Sequence, residues 1–347
     1  MKHFEASKAL AEAYKFRNAA RHAGPVSTRA FVQEAGQVVL VFDPDVSRAV
    51  LTSKTFVGFN YFREGLTRSA ELGDELWLIQ AFYEASMLFK EGDEHHALKR
   101  AFHRMLETAC SEVEARHEQV RAYLCKRRAC YGNALEFAQA YVRLVVGGVI
   151  ATLTGIPLRR VWRALALRQN VFFYIYHPAR QRATNGALRH LFGDAPRPDP
   201  GSPAGLARLL AESLVVMGVD PLIGTLCASL VDPTPERFDS GVFRYCPTSF
   251  VSRVCVQTVA LDGIDFAPGD VCYAALLPSA QALACPEKTR VAASLSFGVG
   301  VHACIGKHLS LVMLRQAEAV YQAGFAEGFA GRVEVAADGA FLAFRSA

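Results

Sequence analysis

Residues 296–306 decide the fold, and they read Ser296-Phe297-Gly298-Val299-Gly300-Val301-His302-Ala303-Cys304-Ile305-Gly306. Apolar residues recur at helical spacing after this stretch and predict an amphipathic helix there; they are Leu309, Val312, Met313, Ala317, Val320 and Tyr321. Cys304 is therefore expected at a helix N-terminus. Unpaired backbone N–H groups and the positive end of the helix dipole favour a thiolate in that position. The stretch thus predicts a cysteine that can act as a metal ligand.

The glycines and the phenylalanine of this stretch suit a ligand loop. Gly298 and Gly300 allow a tight turn that exposes backbone amides toward the sulfur. Gly306 leaves the first helical turn without a side chain, so that a flat and bulky group can lie against it. Phe297 is placed to cover the sulfur from solvent.

The pattern Phe-Gly-x-Gly-x-His-x-Cys-Ile-Gly resembles the heme-binding loop of the cytochromes P450, in which the cysteine is the axial thiolate ligand of iron. The resemblance implies a mainly α-helical, P450-like fold with a small β-sheet part, formed by residues 1–347 as a single domain and shortened relative to the family. It also implies heme b as the cofactor, with its iron bound through Cys304. The expected function is a heme-thiolate oxidoreductase or monooxygenase that acts on a small molecule, with specialised metabolism as one such role.

Two other readings of the cysteine stay open from the residues alone. His302, Cys304 and His308 could contribute to a zinc site, although no second pair of ligands follows at ordinary zinc spacing. Cys304 could also be a buried structural cysteine in a glycine-rich turn.

Composition limits the class of protein. Of the 347 residues, 51% are hydrophobic, which is ample for a large core, and the net charge of +5 gives no case for nucleic-acid binding. Nine cysteines at irregular spacing argue against a disulfide framework. The first residues lack an apolar signal segment, and the longest apolar run, Leu144 to Leu158, is short for a membrane span. The expectation is a cytoplasmic protein of the bacterial P450 type without a membrane anchor.

The N-terminal part predicts a short order of elements. Residues 5–22 read as an amphipathic helix, and residues 29–32 and 37–42 read as two strands of a small sheet. Pro44 between two aspartates predicts a helix over residues 46–51. This order is similar to the N-terminal sheet and following helix of the P450 family.

A basic group is implied by the family resemblance. The family carries a histidine and, four residues later, a basic residue that both bind a heme propionate, and one helix face presents such a pair together. Here the pair is His95 and Lys99, with Arg100 as a substitute for the usual arginine. The resemblance adds Arg253 and His302 as propionate ligands, while Phe297, Gly298 and Gly306 would line the cofactor.

The stretch Leu206 to Leu230 is similar to the long helix that crosses the heme in the family. Gly218 and Asp220 match the family pattern there, but Pro221 stands where the family has threonine. Because proline has no N–H, a kink that frees the carbonyl of Met217 is expected. The family uses the acid and the alcohol to manage protons, so Asp220 is the remaining candidate catalytic acid and atypical oxygen activation is expected.

Three further family positions differ. Gly241 stands where the family has the glutamate that pairs with arginine, here Arg244, and Ser294 stands where a propionate-binding histidine is common. A shorter stretch, QALACPEKTRVAAS, replaces the loop before the cysteine. These losses favour an alternative function, a degenerate P450-like protein that binds a ligand or partner without turnover. A heme sensor would need an output domain, for which the sequence shows no segment.

The resemblance also implies partners. A ferredoxin with its reductase would supply electrons, or a peroxide would serve as oxidant. The basic residues Lys126, Arg127 and Arg128 are expected near the cysteine side, where they would suit an acidic ferredoxin.

Overall fold

The computed structural model describes residues 28–33, 36–58, 62–71, 73, 75–171, 177–199, 201–231, 248, 250–276, 285–325, 327–336 and 343–347. The predicted helix over residues 5–22, the Gly241 position and Arg244 lie outside the described residues.

Helices make up most of the described chain. In chain order they are α1 Pro44–Thr52, α2 Phe62–Glu71, α3 Trp77–Ala85, α4 Gly92–Ala115, α5 His117–Lys126, α6 Ala134–Thr154, α7 Leu158–Leu167, α8 Pro178–Phe192, α9 Pro203–Ser213, α10 Val219–Val231, α11 Pro286–Leu295 and α12 Lys307–Gly324. A π-helical turn, Leu214–Gly218, joins α9 to α10, and 3₁₀ turns lie at Met87–Phe89 and Arg128–Cys130.

The strands form one mixed sheet and two hairpins. They are β1 Thr28–Gln33, β2 Gly36–Val41, β3 Phe56–Gly58, β4 Phe250–Cys255, β5 Val259–Leu261, β6 Ile264–Phe266, β7 Val271–Ala275, β8 Val333–Ala336 and β9 Ala343–Ser346. The sheet has the order β1-β2-β7-β4-β3, in which β2 and β7 are parallel and the other pairs antiparallel. The remaining strands pair as β5–β6 and β8–β9. The predicted mainly helical fold with a small β part is thereby confirmed.

The main core lies among the long helices. α6 packs against α7, α9 and α10, and α12 packs against α4, α5 and α10. Tyr141 of α6 is buried, and its hydroxyl donates to the carbonyl of Met313 in α12 at 2.8 Å. Asn133 caps the start of α6, since its side chain accepts from the N–H of Glu136 at 3.0 Å, and Gly155 ends the helix at a φ of 68°. The apolar run from Leu144 is thus mostly the buried half of one core helix.

Local patterns predicted several elements well. The two N-terminal strands, the helix after Pro44 and the helix after the cysteine loop are all present at their expected places. Asp43 caps α1 through hydrogen bonds from the N–H groups of Asp45 and Val46. Strands β5 and β6 form a hairpin whose turn residues, Asp262 and Gly263, both have positive φ. The shorter stretch before the cysteine loop contains a regular helix, α11, which was not predicted from the sequence.

The connector at residues 193–205 is held by buried charges. Arg197 and Arg208 both bind the carboxylate of Glu212, which is 1% exposed, at 2.5 and 3.0 Å. Arg208 also donates to the carbonyls of Ala195 and Pro196. Because every charge of this triad has a partner, it fixes the connector against α9.

Two helices of the described chain are long and apolar enough to cross a membrane. They are Ala134–Thr154 and the continuous helix Pro203–Val231, with 56% and 61% of their apolar windows buried. Burial of that extent is also typical of core helices in soluble proteins, so length and composition alone do not assign them to a membrane.

Two helical glycines provide a matched test of this packing. A Cβ on Gly205 would lie 2.0 Å from the carbonyl oxygen of Asp199, whereas a Cβ on Gly186 would meet nothing within 4 Å. We expect Gly205→Ala to lower the free energy of unfolding by about 2 kcal/mol, because the connector must move. We expect Gly186→Ala to raise it by about 0.5–1 kcal/mol. Urea denaturation of both variants measures this, and equal effects of the two would contradict the described packing of the connector.

Candidate cofactor site around Cys304

The cysteine loop folds back on itself through backbone hydrogen bonds. The N–H of Cys304 donates to the carbonyl of Phe297 at 2.7 Å, and the N–H of Gly298 donates to the carbonyl of Leu295 at 2.7 Å. Gly298 and Gly300 have φ values of 67° and 74°. A Cβ on Gly300 would also lie 2.7 Å from the carbonyl oxygen of Leu51 at the end of α1. Gly300 is therefore required for its conformation and for its close approach to α1.

Cys304 lies three residues before the start of α12 at Lys307. The residue is exposed, yet protein atoms surround its sulfur, and this desolvation raises the pKa of the thiol. Hydrogen bonds from the backbone N–H groups of Gly306 and Lys307, together with the charges of Lys99 and Lys307, oppose that rise. The Lys307 ammonium also lies 5.7 Å from the centre of the Phe297 ring. The loop thus surrounds the sulfur with donors and positive charge, which suits a thiolate ligand.

Lys99 of α4 reaches the cysteine loop directly. Its ammonium donates to the carbonyls of Val301 at 2.6 Å and Ala303 at 3.3 Å. Burial lowers the pKa of Lys99, and the nearby Cys304 opposes that change. Arg100, the predicted substitute, is exposed and is not brought to the loop. Of Lys99 and Arg100, Lys99 is therefore the one that contacts the loop.

His302 contacts an acidic residue, Glu91, that the sequence did not predict as part of the site. Its Nε2 lies 3.0 Å from Oε1 of Glu91, and the same oxygen accepts from the N–H of Gly58 at 2.8 Å. Burial raises the pKa of Glu91, but the Gly58 N–H, His302 and Arg253 outweigh it, so the pKa lies below its usual value. Glu91 precedes α4 and has no motif that marks it, so the sequence offered no signal.

His95 and Arg253 complete a group that we call the basic cluster: His95, Lys99, Arg253 and His302. The His95 ring is 1% exposed, its centre lies 4.4 Å from that of His302, and its Nε2 has no hydrogen-bond partner among the described residues. Burial and the charges of His302, Lys99 and His96 lower the pKa of His95 to about 4, so the ring is neutral at pH 7. Arg253 is 3% exposed, and burial lowers its pKa while Glu91 opposes that. Four sequence-predicted residues are thus brought together beside the cysteine loop.

The continuous helix Pro203–Val231 places Asp220 in an ion pair. Its carboxylate binds Arg168, which follows α7 and whose side chain is 4% exposed, against 21% for Asp220. Arg143 of α6 lies within the electrostatic reach of both, and burial lowers its pKa. Arg168 lies 52 residues from Asp220 in the sequence, and no pattern pointed to it.

Pro221 follows the π-helical turn Leu214–Gly218. In a π-helical turn each N–H bonds to the carbonyl five residues back. A carbonyl that proline leaves without an N–H donor four residues later can therefore accept from the N–H of the residue after the proline. The predicted kink that frees the carbonyl of Met217 stays a prediction.

By sequence, no protein-family model and no curated protein matches the chain. The fold, however, matches many solved structures along nearly its whole length. CYP108D1 from Novosphingobium aromaticivorans matches with a TM-score of 0.67 at 16% identity, covering 99% of this chain and 97% of that one. The fold is that of the cytochromes P450. P450BioI, solved in complex with an acyl carrier protein ligated to hexadec-9Z-enoic acid, matches with a TM-score of 0.64 at 14% identity and coverages of 99% and 98%. P450 OxyD, involved in the biosynthesis of vancomycin-type antibiotics, matches with a TM-score of 0.65 at 15% identity and coverages of 96% and 95%.

The described residues contain no group of three or more His, Cys, Asp or Glu side chains that could hold a metal ion. His302, one member of the zinc alternative, faces Glu91 instead. Ser294, at the place of the family histidine, is exposed, and its hydroxyl donates to the carbonyl of Val291 at 2.6 Å within α11.

The Asp220–Arg168 pair gives a first test of the site. Asp220→Asn removes the partner of a buried guanidinium, and we expect the free energy of unfolding to fall by about 3 kcal/mol. Adding Arg168→Met to Asp220→Asn should recover most of that loss, because no charge then stays buried without a partner. Urea denaturation of the single and double variants measures the coupling. Losses that simply add would contradict the pair.

Lys99 gives a second test, with its neighbour as the control. Lys99→Met removes two hydrogen bonds from the cysteine loop and should lower the free energy of unfolding by about 1–2 kcal/mol. Arg100→Met removes an equal charge from an exposed position and should change it by less than about 0.5 kcal/mol. If the two variants lose the same stability in urea, Lys99 does not hold the loop.

Proposed function

We propose that this protein is a heme-thiolate oxidoreductase of the P450 type that acts on a small organic molecule. The observation that carries the proposal is Cys304 at the start of α12, with two backbone N–H groups directed at its sulfur, inside a P450 fold. In this proposal Cys304 is the ligand of the iron of heme b.

The residues around the loop fit such a cofactor. The buried Nε2 of His95, which forms no hydrogen bond with any described residue, can donate to a carboxylate such as a heme propionate. Arg253 and His302 would hold the propionates with it. Lys99 would hold the loop itself, through its hydrogen bonds to the carbonyls of Val301 and Ala303 just before the cysteine. Gly298 and Gly306 would leave room for the flat ring, and Phe297 would shield the sulfur. Arg100, being exposed, drops out of the proposed set.

Bound heme would supply the activation of oxygen or of a peroxide. The chain would supply the thiolate ligand, the orientation of the cofactor and the control of water and protons. Asp220 is the proposed acid of the long helix, and it works while paired to Arg168. Because Pro221 offers no hydroxyl beside it, coupling of oxygen consumption to product should be poorer than in P450s with threonine there. Peroxide use, proton supply by the substrate or a non-hydroxylating reaction fits this arrangement.

Electrons would reach the site from an acidic ferredoxin and its reductase, unless a peroxide replaces them. The proposed docking residues Lys126, Arg127 and Arg128 are exposed at the end of α5, which packs against α12. Arg127 lies over the Tyr123 ring at 4.2 Å, and Arg128 pairs with Glu327 at 2.6 Å, so Lys126 is the one of the three without such a contact among the described residues.

We propose that the substrate belongs to specialised metabolism. This proposal is supported by fold neighbours such as OxyD, which is involved in antibiotic biosynthesis. A cytoplasmic location without membrane attachment agrees with the mostly buried apolar helices.

One observation favours a second candidate, a P450-like protein that binds a ligand or partner without turnover. The acid of the long helix is bound to an arginine and has no alcohol beside it. A heme-loaded protein that neither consumes oxygen with ferredoxin and NADPH nor uses peroxide would support this candidate over the enzyme.

The absorption spectrum of the ferrous protein with carbon monoxide tests the proposal. We expect the strongly red-shifted band of a thiolate-bound heme, because Cys304 would be the ligand. Cys304→Ala should lose this band, whereas Cys130→Ala, at another exposed free cysteine, should keep it. Purified protein that cannot be loaded with heme, or that gives the same band without Cys304, would refute the assignment.

A further inference from the structure

The charge of the chain is unevenly distributed. Residues 137–193 contain eight arginines and neither aspartate nor glutamate, while the whole chain carries a net charge of +5. The rest of the chain is therefore net negative. Residues 137–193 include α7 and α8, which pack against each other.

The outer side of α7 and α8 is an arginine face, defined here as Arg159, Arg160, Arg163 and Arg182. All four residues are exposed, while Val161, Ala164 and Leu165 of α7 point into the core. Arg159 and Arg163 are four residues apart and so lie on one side of the helix. Among the described residues, no carboxylate forms an ion pair with either of these two arginines. Three small residues of α7 and α8, Ala166, Ala179 and Gly186, are also exposed.

This arrangement is unfavourable for the helices themselves. Arg159 and Arg160 occupy the first turn of α7, where the helix dipole is positive, and no acid stands there to offset them. α8 likewise has no acid in its first turn. Each such cation costs a helix about 0.3–1 kcal/mol. The described contacts offset little of this unfavourable energy, since Arg160 donates to the carbonyl of His190, and Arg159 and Arg163 form no ion pair with a described residue. Carboxylates of an acidic partner would offset it.

The arginine face is separate from the basic residues at the end of α5. Those residues precede α6 and α7 follows it, so the 21-residue helix α6 separates the two groups along the chain. The arginine face is instead linked to the long helix, because Arg168 directly follows α7 and binds Asp220. A partner on this face would therefore adjoin the segment that binds the proposed acid Asp220.

The chemistry of the face favours a protein over other anionic surfaces. A membrane-surface helix presents large apolar residues outward, yet Leu167, at 54%, is the one large apolar side chain exposed on the described parts of α7 and α8. Exposed arginines suit the approach of an acidic helix, whose carboxylates arginine binds in bidentate fashion. We propose that the arginine face docks an acidic carrier protein that delivers the substrate on a covalently attached arm. This inference rests on the proposed function and names the source of its substrate.

Binding of a labelled acyl carrier protein to the heme-loaded full chain tests the docking, with fluorescence anisotropy measured at low and physiological salt. We expect Arg159→Glu with Arg163→Glu to weaken binding about tenfold or more and to remove its salt dependence. Lys126→Glu with Arg127→Glu, which reverses as many charges at the other basic site, should leave carrier binding within about twofold. The carbon monoxide spectrum of both variants should stay that of the unmodified protein.

Several outcomes would overturn the docking while leaving the proposed function intact. They are a carrier affinity that the arginine-face reversal does not change, an equal loss in both charge-reversed variants, and binding of anionic vesicles or duplex DNA to this face with no carrier binding. Failure of the proposed function would show itself separately, as a missing thiolate band in the unmodified protein.

Discussion

The close approach of Gly300 to the carbonyl of Leu51 is the constraint on which the candidate site depends. No other residue fits there, because a Cβ would lie 2.7 Å from that oxygen and the backbone φ is 74°. α1 in turn packs on β2 and β7, so this contact ties the cysteine loop to the sheet. Lys99 ties the same loop to α4 through two carbonyls, and α12 continues from it into the helical core. The sulfur is therefore positioned by three separate parts of the fold.

The buried polar groups discussed above fall into two kinds. The triad of Arg197, Arg208 and Glu212 is closed, since each member has its partners and the group holds a connector in place. The groups near the candidate site are open by comparison. Nε2 of His95 and Nε of Arg168 are both buried without a hydrogen-bond partner in the part of the chain that the structure describes. Open polar groups are costly inside a protein unless something else uses them. The orphaned His95 nitrogen beside the cysteine loop is the feature that a bound carboxylate would explain.

The sequence predicted what depends on neighbours along the chain. The strands of residues 28–41, the helix after Pro44 and the helix of the cysteine loop follow from periodicity and caps that lie within each segment. Pairings across the fold had no such signal. Glu91 meets His302 across 211 positions, and Arg168 meets Asp220 across 52, through tertiary contacts alone. The i, i+4 rule brought His95 and Lys99 to one side, but it could not tell that Lys99 would bind backbone carbonyls in the loop. Arg100, one residue further along the helix, points elsewhere for the same geometric reason.

Pro221 and Asp220 together show how the long helix differs from the usual P450 pattern while it stays packed in the core. A proline inside a helix removes one N–H, and the π-helical turn at Leu214–Gly218 lies where that loss must be absorbed. The helix keeps its position because both of its halves are buried against α6. Asp220, the next residue back, is at the same time the partner of Arg168. Any event that removes the charge of Asp220 also leaves a buried guanidinium without its partner, which costs stability. Asp220 therefore stabilises the fold in addition to any catalytic role. A reaction that takes its protons from the substrate or from water would leave the Asp220–Arg168 pair intact.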